Sequence, residues 1–424
     1  MQRVEKFKFS GLHINIKIRL VTIFLNTFST NMIFPFIAIY SYREIGPIWS
    51  STLLSLAIIF NFIASLISGS ISDKIGRRKL ILISEGLRFF SLIGILLVNS
   101  PWIESVYITL FLFIINNIAS GIFGPPSEAM ILDVSESEER KYIYSLLYWI
   151  SNISIAIGGS IGAVFFSKYL FELLMIINLL MIVSLILTVF YMKETYFPIK
   201  TKKVDINNYI SGITSFFSGY KAVLKNRRFI LFLCSTTLLF SLEGHLTNYL
   251  SLKLVEDVNN QTIFPFNMQI NGVQMLGILR TENTILVMVF STFLVILIGK
   301  FRDKNLLIIG SALYAIGYFV LSVTDFVWLL LIAMLIATLG EVIAFPVMQS
   351  YLADIIPHDS RSTYLAFNKI SIRLSLLVGT IGIFLYSFLP YYIMSLLLLF
   401  SGILAISILF LILPNVNSKR VKNS

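Results

Sequence analysis

Long apolar runs closed by short polar or charged caps dominate the chain. A helix that spans a membrane needs roughly 20 mostly apolar residues. Cutting at charged, Pro and Asn clusters gives twelve such runs, at about 20–40, 49–72, 80–99, 102–129, 142–166, 170–192, 229–252, 283–299, 305–323, 326–350, 362–386 and 390–412. Two longer hydrophilic stretches, 193–228 and 253–282, interrupt the series. The pattern predicts an all-α membrane protein of twelve transmembrane helices. Residues 1–192 form one six-helix bundle, 193–228 a cytoplasmic linker and 229–424 a second bundle.

Composition narrows the class. Of 424 residues, 57% are hydrophobic and 13% charged, against about 25% charged in soluble domains. Water cannot be the main solvent of such a chain. The first run, Leu20–Tyr40, has no small-residue cleavage site after it, so it reads as a retained helix and not a signal peptide. Lys and Arg fall very unevenly between alternate loops: 26 on the side of the N-terminus, and on the other side only Arg43, Lys168, Lys253 and Arg280. By the positive-inside rule both termini are expected in the cytoplasm, in a multi-pass protein of the cell membrane. The net charge of +11 is then a signal of topology and lipid headgroups, not of nucleic acid. One cysteine, Cys234, excludes disulfides and Cys-based metal sites, and the scattered His13, His245 and His358 argue against a histidine metal centre.

The two halves echo each other. At an offset of 221, Pro125 pairs with Pro346, Asp133 with Asp354, Arg140 with Arg361 and Gly158 with Gly379. A second echo joins Gly69, Asp73 and Lys74 to Gly299, Asp303 and Lys304. Related six-helix halves around a midplane site are a common plan of secondary transporters.

The loop Gly69-Ser-Ile-Ser-Asp73-Lys74-Ile-Gly76-Arg77-Arg78-Lys79 carries its own logic. Gly69 lets helices approach, Gly76 permits a tight turn, the basic cluster anchors the membrane edge, and Asp73 suits a facing helix N-terminus as a conformational latch. It resembles the G-x-x-x-D-[RK]-x-G-R-[RK] signature of the major facilitator superfamily; a positive cap with turn glycines is the plainer reading. Gly158-Gly159-x-x-Gly162 resembles a degraded form of the antiporter motif G-x-x-x-G-P-x-x-G-G, and small residues there also suit plain helix packing. The arginine common on the fourth helix of drug antiporters is absent, with Asn117 at the nearest register.

Longer stretches resemble proton-driven multidrug exporters of that superfamily: Met130–Lys141, Leu147-Tyr148-Trp149 with Asn152, Glu194-Thr195, and Leu339–Val342 with Pro346. The resemblance implies proton/drug antiport, antibiotic resistance, and roles for Asp73, Asp133, Glu243 and Glu341. It departs at Leu147, where a related exporter carries an aspartate; a missing acid there implies poorer handling of dications if the position faces a cavity.

A carboxylate inside the membrane is costly and usually functional. Withdrawal from water favours the protonated acid, whereas a cationic ligand favours the carboxylate. Glu341 and Glu243 are therefore the leading candidates for a proton and a cation in competition, against structural hydrogen bonding, with His245 or water satisfying Glu243. Glu128 and Asp133 suit either proton handling or a salt-bridge cluster with Arg140 and Lys141. Glu85 and Arg88, one turn apart, are expected to pair. Asn117, Trp149, Asn152, His245, Lys369 and Arg373 are possible cavity residues, as are the aromatics Phe36, Tyr40, Tyr249 and Phe345.

Two readings of the fold stay open: a proton-coupled exporter of amphipathic, mostly cationic or neutral compounds, or a carrier of an anionic metabolite, peptide or lipid held by Lys369 and Arg373. An intramembrane enzyme or a receptor is a third class, but no nucleophile–base set or nucleotide loop is visible. Asn260-Gln-Thr262 fits a glycosylation sequon formally. The expected partners are a small-molecule substrate, protons and lipids, with no nucleic acid and no cofactor, and the expected state is a monomer.

Overall fold

The computed structural model describes residues 9–196, 223–258, 261–263, 268–298, 303–357 and 361–412. Most of the linker, with Gly299, Asn260 and His358, lies outside them, as do the side chains of Lys141 and Arg361. Thirteen α-helices are described: α1 Ile14–Ile33, α2 Ile37–Ile75, α3 Arg77–Val98, α4 Val106–Asp133, α5 Ser137–Phe165, α6 Leu170–Tyr191, α7 Arg227–Leu246, α8 Tyr249–Asp257, α9 Gly272–Ile298, α10 Asp303–Val323, α11 Val327–Ile355, α12 Arg361–Tyr386 and α13 Tyr391–Ile412.

Eleven helical stretches among the described residues are long and apolar enough to cross a membrane. The first, Ile14–Ile75, is 62 residues long and holds two of the twelve runs. Inside α2, Gly46 adopts φ 75° and ψ 175° just before Pro47. The Ser41 and Ser50 hydroxyls then lie 2.6 Å apart, whereas nine residues of unbroken helix rise about 13 Å. The chain therefore folds back at Gly46, and one long helical stretch makes two crossings. The first crossing itself bends at Pro35, within the 3₁₀ turn Phe34–Phe36.

Two boundaries differ from the sequence pattern. After a break at Asn248, the seventh run continues through α8 to Asp257, and α9 begins at Gly272, eleven residues before the eighth apolar run. Lys253, Arg280 and Glu282 thus sit in helices, not in a loop. Lys253 is buried, donating to the Thr324 carbonyl at 3.1 Å and pairing with Asp257 at 2.9 Å.

The chain divides into two compact units, Met1–Ile199 with Met268–Ile285, and Lys200–Asn267 with Leu286–Ser424. In the first, α1 packs on α5 and α6, and α3 on α4 and α6. The second repeats this plan: α7 packs on α12 and α13, and α10 on α11 and α13. The repeat pair Gly158 and Gly379 occupies matching places. A Cβ on Gly158 would meet the Phe28 carbonyl of α1, and one on Gly379 would meet Gly244 of α7.

Candidate functional site

The first unit gathers its charged residues at the turn between α2 and α3. Gly76 has φ 97°, which an L side chain rarely adopts. Just past α6, Glu194 brings its carboxylate to the start of α3, accepting the N–H groups of Arg77 and Arg78 at 3.0 Å, and that of Thr195 at 3.0 Å. The first N–H groups of a helix lack intrahelical acceptors and carry partial positive charge, so an anion there is favoured. A Cβ on Gly76 would stand 2.6 Å from Glu194 Oε2, a second reason for glycine.

Arg77 pairs with Asp133 at the end of α4, and its guanidinium lies 5.3 Å from the Tyr196 ring. The Thr195 hydroxyl donates to the same Asp133 carboxylate at 2.8 Å, and Arg78 donates to the Val189 carbonyl of α6 at 2.5 Å. These contacts tie the ends of three helices, α3, α4 and α6, together. Asp133 finds Arg77 in place of the expected Arg140. Arg140 instead donates to the carbonyls of Leu132 and Ser135 at 3.3 Å, capping the end of α4. Glu128 is exposed, within electrostatic reach of Arg19 and Tyr144. Gly69 packs at ordinary distance from Pro125 of α4, while Asp73 is exposed.

In the second unit, Glu341 is the fifteenth of the 29 residues of α11, close to its middle. Its neighbour Gly340 lies where a Cβ would overlap the Tyr314 backbone of α10, so the two helices touch at this level. Glu243, toward the end of α7, is exposed, and both carboxylates lie within electrostatic reach of Tyr314. Tyr314 is buried. Around it, Phe345 lies 5.5 Å from Tyr314 and 4.9 Å from Phe240, and Tyr318 lies 4.9 Å from Tyr314, centroid to centroid. Two acids thus flank one aromatic cluster built from α7, α10 and α11.

His245 is buried against Gly382 of α12 and stacks edge-on with Tyr249. Two residues along the helix from exposed Glu243, it faces the other way. Lys369 is exposed and Arg373 half-buried, one turn apart on α12. Asn117 bonds back to Phe113 of its own helix, and its carbonyl accepts from Asn61 at 2.8 Å, tying α4 to α2. Asn152 bonds back to the Tyr148 carbonyl, and Trp149 is half-exposed. Phe36 and Tyr249 are fully buried core residues, so neither offers a free cavity wall.

Three further expectations are corrected or sharpened. Glu85 and Arg88 attract each other without a hydrogen bond between them: Glu85 accepts from Ser184 at 3.1 Å and Arg88 donates to Thr30 at 3.4 Å. Leu147 packs on the cluster of Leu12, Ile16, Leu20, Ile131 and Ile143, so the missing acid would have stood against hydrocarbon. The glycines of α5 differ in kind. A Cβ on Gly158 or Gly162 would strike the α1 backbone, whereas one on Gly159 meets nothing within 4 Å.

Sequence reasoning missed the polar stretch Arg280–Thr284 inside α9. Arg280 donates to Asn31 of α1 at 3.0 Å, and the Thr281 hydroxyl bonds Ser160 of α5 at 2.8 Å. Among the described residues no cluster of His, Cys, Asp and Glu could hold a metal ion.

The sequence model of the Major Facilitator Superfamily matches residues 20–266 and 258–424, nearly the whole chain. The chain belongs to that superfamily. It is a multi-pass membrane protein of a transporter family, and its relatives are transporters rather than enzymes. It is 27% identical over 375 residues, 87% of this chain and 88% of the relative, to a Na(+), Li(+), K(+)/H(+) antiporter of Planococcus maritimus. It is 21% identical to the multidrug resistance protein MdtH of Blochmanniella floridana, over 82% of this chain and 80% of that one. Among solved structures, a POT family transporter in complex with 5-aminolevulinic acid superposes with a TM-score of 0.74 at 15% identity, covering 96% of each chain. That likeness speaks for the superfamily fold alone.

Proposed function

We propose that the protein is a proton-coupled antiporter that exports amphipathic, mostly cationic or neutral compounds by alternating access, with both termini in the cytoplasm. The observation that carries this reading is the placement of Glu243 and Glu341 beside one aromatic cluster in the membrane-spanning part of the second unit. A protonated pair there is neutral and tolerates the membrane. A deprotonated carboxylate attracts a cation, and the aromatic faces supply apolar contact and cation–π attraction. Proton and cation then compete for the same oxygens, and each leaves when the other arrives. The motifs around Asp133, Trp149 and Glu341 resemble those of the multidrug exporter LmrP, and the similarity to MdtH points the same way.

A second reading has its own support. The relative from Planococcus maritimus exchanges alkali cations for protons by name, and a carboxylate is a natural ligand for either cargo. An anionic metabolite, peptide or lipid held by Lys369 and Arg373 is the third candidate.

Proteoliposomes loaded with a pH dye separate the three. Addition of ethidium is expected to release protons from acid-loaded vesicles, Na⁺ or K⁺ to release fewer, and a dipeptide or dicarboxylate none. Proton movement with Na⁺ or K⁺ alone would turn the assignment to metal-cation antiport, and movement with the anions alone would turn it to the third candidate.

A further inference from the structure

Glu282 is a carboxylate that the functional reading above does not use. It is the eleventh of the 27 residues of α9. At 1.5 Å per residue it lies about 15 Å from one end of the helix and about 24 Å from the other. A hydrocarbon core is roughly 30 Å thick, so a residue this far from both ends of a spanning helix falls inside it. The residue is half-buried, and its Oε2 is enclosed with no hydrogen-bond partner. A buried polar atom left unsatisfied calls for an explanation, and a lasting carboxylate at this depth is costly.

The neighbouring positions on its helix are anchored within the unit, Arg280 to Asn31 of α1 and Thr281 to Ser160 of α5. Gly277 closes the packing, since a Cβ there would run into Ala163 of α5. On α9 the one nearby charged group is Arg280, and its guanidinium is directed to Asn31. From Leu20 to Ile33 on α1, and from Trp149 to Phe165 on α5, there is no acidic or basic residue. Neither of these two stretches offers a cation to hold Glu282 permanently ionised.

We propose that Glu282 is a proton-binding residue of the first unit, a second protonation site separate from the Glu243–Glu341 pair of the second. In the transport cycle the carboxylic acid gives up its proton as a monovalent cation approaches, and the carboxylate takes a proton back when the cation departs. One proton and one positive charge exchange, so charge balances at the site. This role in coupling rests on the antiport reading; the protonation of Glu282 itself does not.

Two measurements on the full-length protein test it. In the first, the protein in liposomes is treated with dicyclohexylcarbodiimide, which modifies protonated carboxyl groups in apolar surroundings, and peptides are read by mass spectrometry. Glu282 is expected to be modified strongly at pH 6, at least fivefold less at pH 8.5, and less again with tetraphenylphosphonium present. An unmodified Glu282 at pH 6, or one equally modified at both pH values, overturns the proposal. In the second, Glu282→Gln is compared with the unmodified protein. Proton release driven by tetraphenylphosphonium is expected to fall at least tenfold. Unchanged proton release in the variant overturns the coupling role and leaves the antiport reading intact. No proton release from the unmodified protein with any cation overturns the antiport reading, and the labelling result then decides Glu282 alone. Glu282→Asp, which keeps the acid, is expected to retain both labelling and part of the proton release if Glu282→Gln fails to fold.

Discussion

The Glu194 carboxylate accepts the backbone N–H groups of Arg77 and Arg78 at 3.0 Å, across more than a hundred residues of sequence. It works as a helix cap supplied from the segment just past α6, and it joins the turn after α2 to the end of α6. Glu194→Ala is expected to cost about 1–2 kcal/mol, in the range of lost capping and dipole interactions. Glu194→Gln keeps an acceptor and loses the charge, so it should cost less. Gly76→Ala is expected to be destabilising at φ 97°, and Glu194→Ala should not rescue it, because removing the carboxylate leaves the backbone strain in place. Thermal unfolding in detergent reads all four proteins; full rescue in the double variant would show that the steric contact alone requires glycine.

Asp73 is exposed and Gly76 is engaged, although both belong to one motif. Asp73→Asn is therefore expected to leave thermal stability within about 0.5 kcal/mol, as for other exposed positions. As a latch residue it should shift the populations of inward- and outward-open states measured by paired spin labels. An unchanged distance distribution across pH would remove Asp73 from the switch.

Gly159 and Gly162 are expected to respond oppositely to the same change. Gly159→Ala enters open space and should be tolerated, whereas Gly162→Ala drives a Cβ into the Met32 carbonyl and the Phe36 ring. Overpacking of this kind costs about 1–3 kcal/mol. Equal melting temperatures for the two variants would contradict the packing of α5 on α1 described here.

Leu147→Asp places a charge against the cluster of Leu12, Ile16 and Leu20. A loss of about 2 kcal/mol is expected, from lost packing and an unpaired acid set against apolar side chains. No gain in export of dications should accompany it. Improved dication transport at normal stability would show that position 147 meets the substrate after all.

Much of the fold was legible because apolar length alone sets a membrane crossing. The reversal at Gly46-Pro47 also lay in plain sight between two apolar runs. What stayed hidden depended on partners distant in the chain. The start of α9 was read as loop because Arg280-Thr-Glu-Asn-Thr284 breaks its apolar run. Arg280 and Thr281 of that stretch are accommodated by Asn31 and Ser160, about 250 and 120 residues away. The same limit applies to Arg88, whose hydrogen bond goes to Thr30 on α1 and not to Glu85 one turn back on its own helix. Asp133 likewise takes Arg77 although Arg140 is closer in sequence. The motif glycines signalled close packing, but only coordinates separate Gly158 and Gly162, which touch a backbone, from Gly159, which does not.

The central claim is that a carboxylate beside Tyr314 exchanges a proton for a cation, and Glu341→Gln tests it most directly. Glutamine keeps the shape of the protonated acid and cannot release a proton. Vesicles containing the variant should show downhill movement of ethidium comparable to the unmodified protein, and no accumulation against its gradient when a pH gradient is imposed. Uphill accumulation by Glu341→Gln at the rate of the unmodified protein would contradict the account.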